Sequence, residues 1–139
     1  MAEPDKIAED LQKAVLAGYS EKLQNEFLSP KNIGRMADPD SYVRITGVCG
    51  DTVEMFLAIE NSRISDVKFV TDGCGVTIAC VSYVTRTVKG KSVEEALRIE
   101  PEGVDEYFGG LPGEHKHCAQ LAVMTLVAAI EKYRADLSK

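Results

Sequence analysis

The stretch Thr52-Val53-Glu54-Met55-Phe56-Leu57-Ala58-Ile59-Glu60-Asn61-Ser62-Arg63-Ile64-Ser65-Asp66-Val67-Lys68-Phe69-Val70-Thr71 decides the fold. Val53, Met55, Leu57 and Ile59 alternate with Thr52, Glu54, Phe56 and Ala58. Val67, Phe69 and Thr71 alternate in the same way with Asp66, Lys68 and Val70. A period of two sends successive side chains to opposite faces, so each run reads as a strand. Asn61-Ser62 is short enough to be a hairpin turn, which would set Glu60 opposite Arg63 as a favourable cross-strand pair. Upstream, Val43 and Ile45 alternate with Tyr42, Arg44 and Thr46, and Gly50 permits a tight reversal into the next strand. The simplest topology is a three-stranded antiparallel meander.

That topology gathers residues with metal chemistry. The first strand runs out at Cys49, the second starts at Asp51, and the third ends at Asp72-Gly73-Cys74-Gly75. In an up-down-up arrangement these points share one end of the sheet, with Asp51 roughly opposite Asp72. Glycines at 50, 73 and 75 leave space beside the two cysteines and permit positive φ.

Helices account for the remainder. Ile7, Leu11 and Val15 recur at helical spacing, Gly18-Tyr19 interrupts, and Ser20 is an N-cap for a piece carrying Leu23, Phe27 and Leu28 that stops at Ser29-Pro30. Val76 to Val88 has β-type residues but helical length and a Lys89-Gly90 stop, and reads as a helix packed on the sheet. Ser92 to Leu97 reads as a short capped helix and Glu102 to Phe108 as another. After Gly109-Gly110-Leu111-Pro112-Gly113 comes a long, buried C-terminal helix over Ala119 to Tyr133. The expectation is an α+β fold with about four to six helices, divided into an N-terminal helical extension (residues 1–18) and one main domain (residues 19–139).

Composition narrows the function classes. Sixteen basic against 22 acidic residues leave a net charge of -6, which argues against a nucleic-acid or anionic-membrane binder. No apolar run approaches the roughly 18 residues of a membrane helix. Met1-Ala2-Glu3-Pro4-Asp5 is acidic and lacks the apolar core of a signal peptide, so a reducing cytoplasm is expected. In that setting the cysteines at 49, 74, 80 and 118 read as ligands, nucleophiles or core residues rather than disulfides.

Gly113-Glu114-His115-Lys116-His117-Cys118 holds both histidines of the chain at the start of the last helix. A helix N-terminus favours a thiolate there, and Cys and His are the ligands that zinc and iron select. Cys49, Asp51, Cys74, His117 and Cys118 form the candidate ligand set. They are scattered over loops, which suits a site that fills and empties rather than a permanent knuckle. Cys80 reads as a core residue facing elsewhere, His115 as solvent-exposed, and Glu94-Glu95 and Glu100-Pro101-Glu102 as solvated surface.

The chain resembles the U-type iron–sulfur cluster scaffold family from about Tyr19 to Tyr133. The resemblance is carried by Tyr19-Ser20-Glu21-Lys22, Ser29-Pro30-Lys31-Asn32-Ile33-Gly34, Cys49-Gly50-Asp51, Gly73-Cys74-Gly75 with Ile78-Ala79 and Ser82, and Leu111-Pro112 through His117-Cys118. It implies a scaffold without turnover chemistry, not an enzyme. A cysteine desulfurase would supply sulfur, with Cys118 as persulfide acceptor. Iron(II) would enter at Cys49, Asp51, Cys74, His117 and Cys118, and a transient 2Fe-2S cluster would pass to acceptor apoproteins. Zinc is an alternative occupant of the cluster-free site, and a homodimer is one allowed assembly. The family's Leu-Pro-Pro-Val-Lys segment is replaced by Leu111-Pro112-Gly113-Glu114-His115, which argues against handover through an Hsp70-type chaperone. The absence of a long insertion between Cys74 and Cys118 disfavours the zinc-bearing sulfur-carrier branch. A zinc-dependent persulfide carrier or sulfurtransferase, and a structural zinc-binding module, are the competing readings.

Overall fold

A computed structural model describes residues 8, 9 and 18–138. The helix expected over Ile7 to Val15, and nearly all of the expected 1–18 extension, lie outside the described residues. Helix α1 (Glu21–Leu28) begins where Ser20 accepts a hydrogen bond from the Leu23 amide at 3.2 Å. Strands β1 (Ser41–Thr46), β2 (Thr52–Glu60) and β3 (Arg63–Thr71) form an antiparallel sheet in the order β1-β2-β3. The fold class and the meander are as expected.

The hairpin forms at Asn61-Ser62, whose φ values of 54° and 62° give the left-handed turn that matches strand twist, and Glu60 faces Arg63. Beyond it the ladder carries a bulge: Ala58 pairs with Asp66 but Ile59 pairs with Ile64, leaving Ser65 as the extra residue. The bulge lets Ile64, Val67 and Phe69 all reach the core despite the broken alternation. It also corrects the expected register. Thr52, not Asp51, faces Asp72, and its amide donates to Asp72 Oδ1 at 2.8 Å. The connection from β1 to β2 is longer than a tight reversal. It runs through residues 47–51, closed by the Gly47 amide on the Asp51 carbonyl (2.8 Å), with Gly50 at φ 92°.

Helix α2 (Gly75–Val88) follows β3, and α3 (Val93–Ala96) and α4 (Pro101–Tyr107) follow it. Burial on most sides selects helix over strand for α2, whose Val76, Ala79, Cys80, Val81, Val84 and Val88 are all in the core. Ser92 and Glu95 close a reciprocal capping box on α3. A 3-10 turn (Gly113–His115) leads into α5 (Lys116–Leu137).

Helices α2 and α5 pack on each other, and α5 lies against β1 and β2. Val53, Met55 and Leu57 of β2 and Leu121, Leu126 and Ile130 of α5 are sealed between the layers. The Ser41 hydroxyl donates to the Ala129 carbonyl at 2.7 Å, tying the sheet edge to that helix. On α1, Glu26 is buried and receives Arg86 Nη2 at 2.8 Å and the Ser82 hydroxyl, both from α2. This brace fixes α1 across α2, whose N-cap is Cys74. Phe27 lies so close over Gly75 that a Cβ there would fall 2.3 Å from its ring.

Candidate metal centre

Three segments meet where the sheet ends and α2 and α5 begin. Cys74 is the N-cap of α2, Cys118 lies in the first turn of α5, and His115 closes the 3-10 turn just before it. The two sulfurs and a ring nitrogen of His115 all lie within 4.8 Å of one another. His115 Nδ1 stands 4.0 Å from Cys118 Sγ. Asp51 arrives from the β1–β2 connection and accepts a 2.8 Å hydrogen bond through Oδ2 from the Thr77 hydroxyl. Thr77 Oγ1 also lies 3.2 Å from Cys118 Sγ and 3.7 Å from Cys74 Sγ. Gly73 is required beside this cluster, because a Cβ would sit 2.8 Å from the Thr77 side chain and 2.9 Å from Asp51 Oδ2.

The sulfurs are electrostatically unequal. Cys74 is pulled down to about 5, chiefly by a hydrogen bond from the Cys118 thiol and further by the amides and hydroxyl at the start of α2. Cys118 is pushed far up, first by donating that proton to Cys74 and then by burial. At neutral pH the pair therefore holds one negative charge, carried on Cys74. The helix N-terminus expected to make Cys118 the thiolate acts instead at Cys74, because Cys74 caps its helix while Cys118 is fully buried one turn into α5.

The expected ligands are thus partly assembled. Cys74 and Cys118 fall in the close group and Asp51 reaches it only through the Thr77 hydroxyl, whereas Cys49 is exposed on the β1–β2 connection and lies outside it. The histidine in the group is His115 rather than His117. His115 precedes Cys118 by three residues, close to one helical turn, and so shares its face; His117, adjacent to Cys118, falls outside the close group. His115 is half-buried, not solvent-exposed, with its ring edge-on to Tyr19 at 6.2 Å. The i, i+3 spacing to Cys118 was the available signal for it. Thr77 is the other residue that residue-type reasoning overlooked, since nothing separates a threonine in Val76-Thr77-Ile78 from an ordinary helix residue. Cys80 is fully buried and outside the group, and burial followed by the charge of nearby Cys74 pushes its thiol up. No helix among the described residues is long and apolar enough to cross a membrane.

Two thiols, an imidazole and a carboxylate are a mixed soft and borderline donor set, fitted to zinc or iron rather than to calcium or magnesium. Fold and site together define an α+β protein with a candidate Cys/His metal centre whose donors come from separate segments.

The chain belongs to the NifU-like N terminal domain family, which it matches over residues 18–139. It is 40% identical over 116 residues to "Iron-sulfur cluster assembly scaffold protein IscU 1" of Archaeoglobus fulgidus, covering 83% of this chain and 76% of that protein. It is likewise 40% identical over 123 residues to "Iron-sulfur cluster assembly scaffold protein IscU" of Haemophilus influenzae, covering 84% of this chain and 96% of the relative. Among solved structures, a putative iron–sulfur cluster assembly scaffold protein from Fervidobacterium islandicum superposes with a TM-score of 0.69 at 20% identity, over 81% of this chain and 96% of the other. An N-terminal NifU-like protein from Brucella abortus gives 0.66 at 17% identity, over 93% and 98% of the two chains. Both share the α+β fold.

Proposed function

We propose that this protein is a scaffold on which an iron–sulfur cluster, of 2Fe-2S type, is assembled as cargo and then released to acceptor apoproteins. One observation carries the reading: sulfur, nitrogen and carboxylate donors converge at the end of the sheet from three chain segments. Such a site can open by moving one segment without unfolding the domain. Its relatives named as assembly scaffolds support the same reading.

In this account Cys74 and Cys118 supply the fixed thiol ligands and Asp51 a weaker, exchangeable oxygen that favours release. Cys49 joins from the β1–β2 connection. The histidine comes from the 115–117 turn. His115 is the one the geometry favours for a first iron(II) or zinc, and His117 is the one the family resemblance implies. A cysteine desulfurase is the sulfur donor: its persulfide sulfur passes to an attacking scaffold thiolate, and the donor thiol leaves. Cys118, the acceptor implied by the resemblance, is fully buried and holds the proton it shares with Cys74, so it must be uncovered and deprotonated before it attacks. The four free cysteines suit a reducing cytoplasm, and no turnover chemistry is assigned to the protein itself. The test is anaerobic reconstitution with iron(II), cysteine, a desulfurase and a thiol reductant that takes persulfide sulfur to sulfide; visible sulfur-to-iron charge-transfer absorption lost in Cys74→Ser is expected.

The donor set of Cys74, His115 and Cys118, with Asp51 one hydroxyl away at Thr77, also suits zinc and favours a second reading, a zinc-dependent persulfide carrier. Stoichiometric zinc that iron does not displace, together with sulfur turnover to an acceptor, selects it over the scaffold.

A further inference from the structure

Thr77 occupies an unusual position for a residue with no ligand chemistry of its own. It is fully buried, yet its hydroxyl lies within reach of three candidate ligands: Asp51 Oδ2 at 2.8 Å, Cys118 Sγ at 3.2 Å and Cys74 Sγ at 3.7 Å. Those ligands differ in how firmly they are held. Cys74 and Cys118 sit at or near helix starts, whereas Asp51 sits on the 47–51 connection with no strand pairing of its own. A loop carboxylate must be ordered before it can join a metal, and ordering costs conformational entropy. Thr77 is suited to pay that cost in advance. It is β-branched, which stiffens its rotamer, and it lies in the first turn of α2 against the open flank left by Gly73. A hydroxyl has one proton, and the Asp51 carboxylate, at 2.8 Å the nearest of its three partners, is where that proton goes.

We propose that Thr77 is a positioning residue of this centre: its hydroxyl holds the Asp51 carboxylate beside the Cys74–Cys118 sulfur pair before metal enters. Thr77 leaves Asp51 Oδ1 for the metal and acts through Asp51, not as a ligand. The inference rests on the reading that Asp51, Cys74 and Cys118 bind metal. Second-sphere hydrogen bonds of this kind are typically worth tenfold or more in metal affinity.

The experiment is anaerobic titration with cobalt(II) alone, followed by thiolate charge-transfer and ligand-field absorption, for wild type, Thr77→Val, Thr77→Ser, Asp51→Ala and the Thr77→Val/Asp51→Ala double variant. Valine keeps the shape and removes the hydroxyl. The expected result is about tenfold weaker binding in Thr77→Val and recovery in Thr77→Ser. Thr77→Val should have no further effect once Asp51 is alanine, while the thiolate bands persist throughout. Thr77→Val binding equal to wild type overturns the inference, as does a loss of the same size in the Asp51→Ala background, which would mark Thr77 as a packing residue. Should Thr77→Val not fold, as read by its far-ultraviolet circular dichroism, Thr77→Ala takes its place in the same cycle. Failure of wild type to bind cobalt with thiolate bands instead removes the underlying metal-site reading.

Discussion

His115 Nδ1 lies 4.0 Å from Cys118 Sγ, from one turn earlier in the chain. This pairing places an imidazole at the sulfur pair without help from His117. In metal-free protein titrated with zinc, His115→Ala should weaken binding at least tenfold and His117→Ala by less than threefold, the former being on the scale of a lost ligand contact. Calorimetry against a competing chelator measures both. The reverse order would assign the nitrogen ligand to His117.

The shared proton of Cys74 and Cys118 makes a kinetic prediction. With a chelator present, Cys74 stays a thiolate above its value of about 5, so its alkylation rate should be nearly constant from pH 8 to 6. An ordinary thiol, titrating near 8.5, slows about a hundredfold over that range. Mass spectrometry should show Cys49 and Cys74 modified in the folded protein, with Cys80 and Cys118 protected until denaturant is added, in keeping with their burial.

Cys80→Ser should leave cluster assembly intact, because Cys80 is in the core and outside the ligand group. Its cost should appear as stability, about 1–3 kcal/mol for a hydroxyl placed in an apolar environment, read as a lower melting temperature. Loss of cluster at unchanged stability would give Cys80 a role in the site.

Glu26 and Arg86 predict a brace rather than a ligand. Glu26→Ala strips Arg86 and Ser82 of their common acceptor and should destabilise the fold by about 2 kcal/mol. Denaturant unfolding measures this, and zinc affinity of the folded fraction should change little.

Much of this was legible in the sequence because period-two alternation and a two-residue hairpin at Asn61-Ser62 leave few topologies, and that topology alone brought Asp51 and Cys74 to one end. The bulge at Ser65 was hidden, since an extra residue in a ladder only stretches the spacing from Ile64 to Val67 from two positions to three. Which histidine faces the sulfurs depended on the phase of a 3-10 turn entering α5, and adjacency in sequence favoured His117 over the residue one turn away. The charge order of the two thiols depended on which one caps a helix, a matter of one or two residues in a boundary. Thr77 was invisible because its significance lies entirely in what surrounds it.

The most direct measurement of the central claim is the iron and acid-labile sulfide content of protein reconstituted without oxygen from iron(II), cysteine, a cysteine desulfurase and a thiol reductant that takes the persulfide sulfur to sulfide. The account predicts equal amounts of iron and sulfide, with visible charge-transfer absorption, and loss of both in Cys74→Ser. Zinc retained with no sulfide, or a sulfide content unchanged in Cys74→Ser, would contradict it.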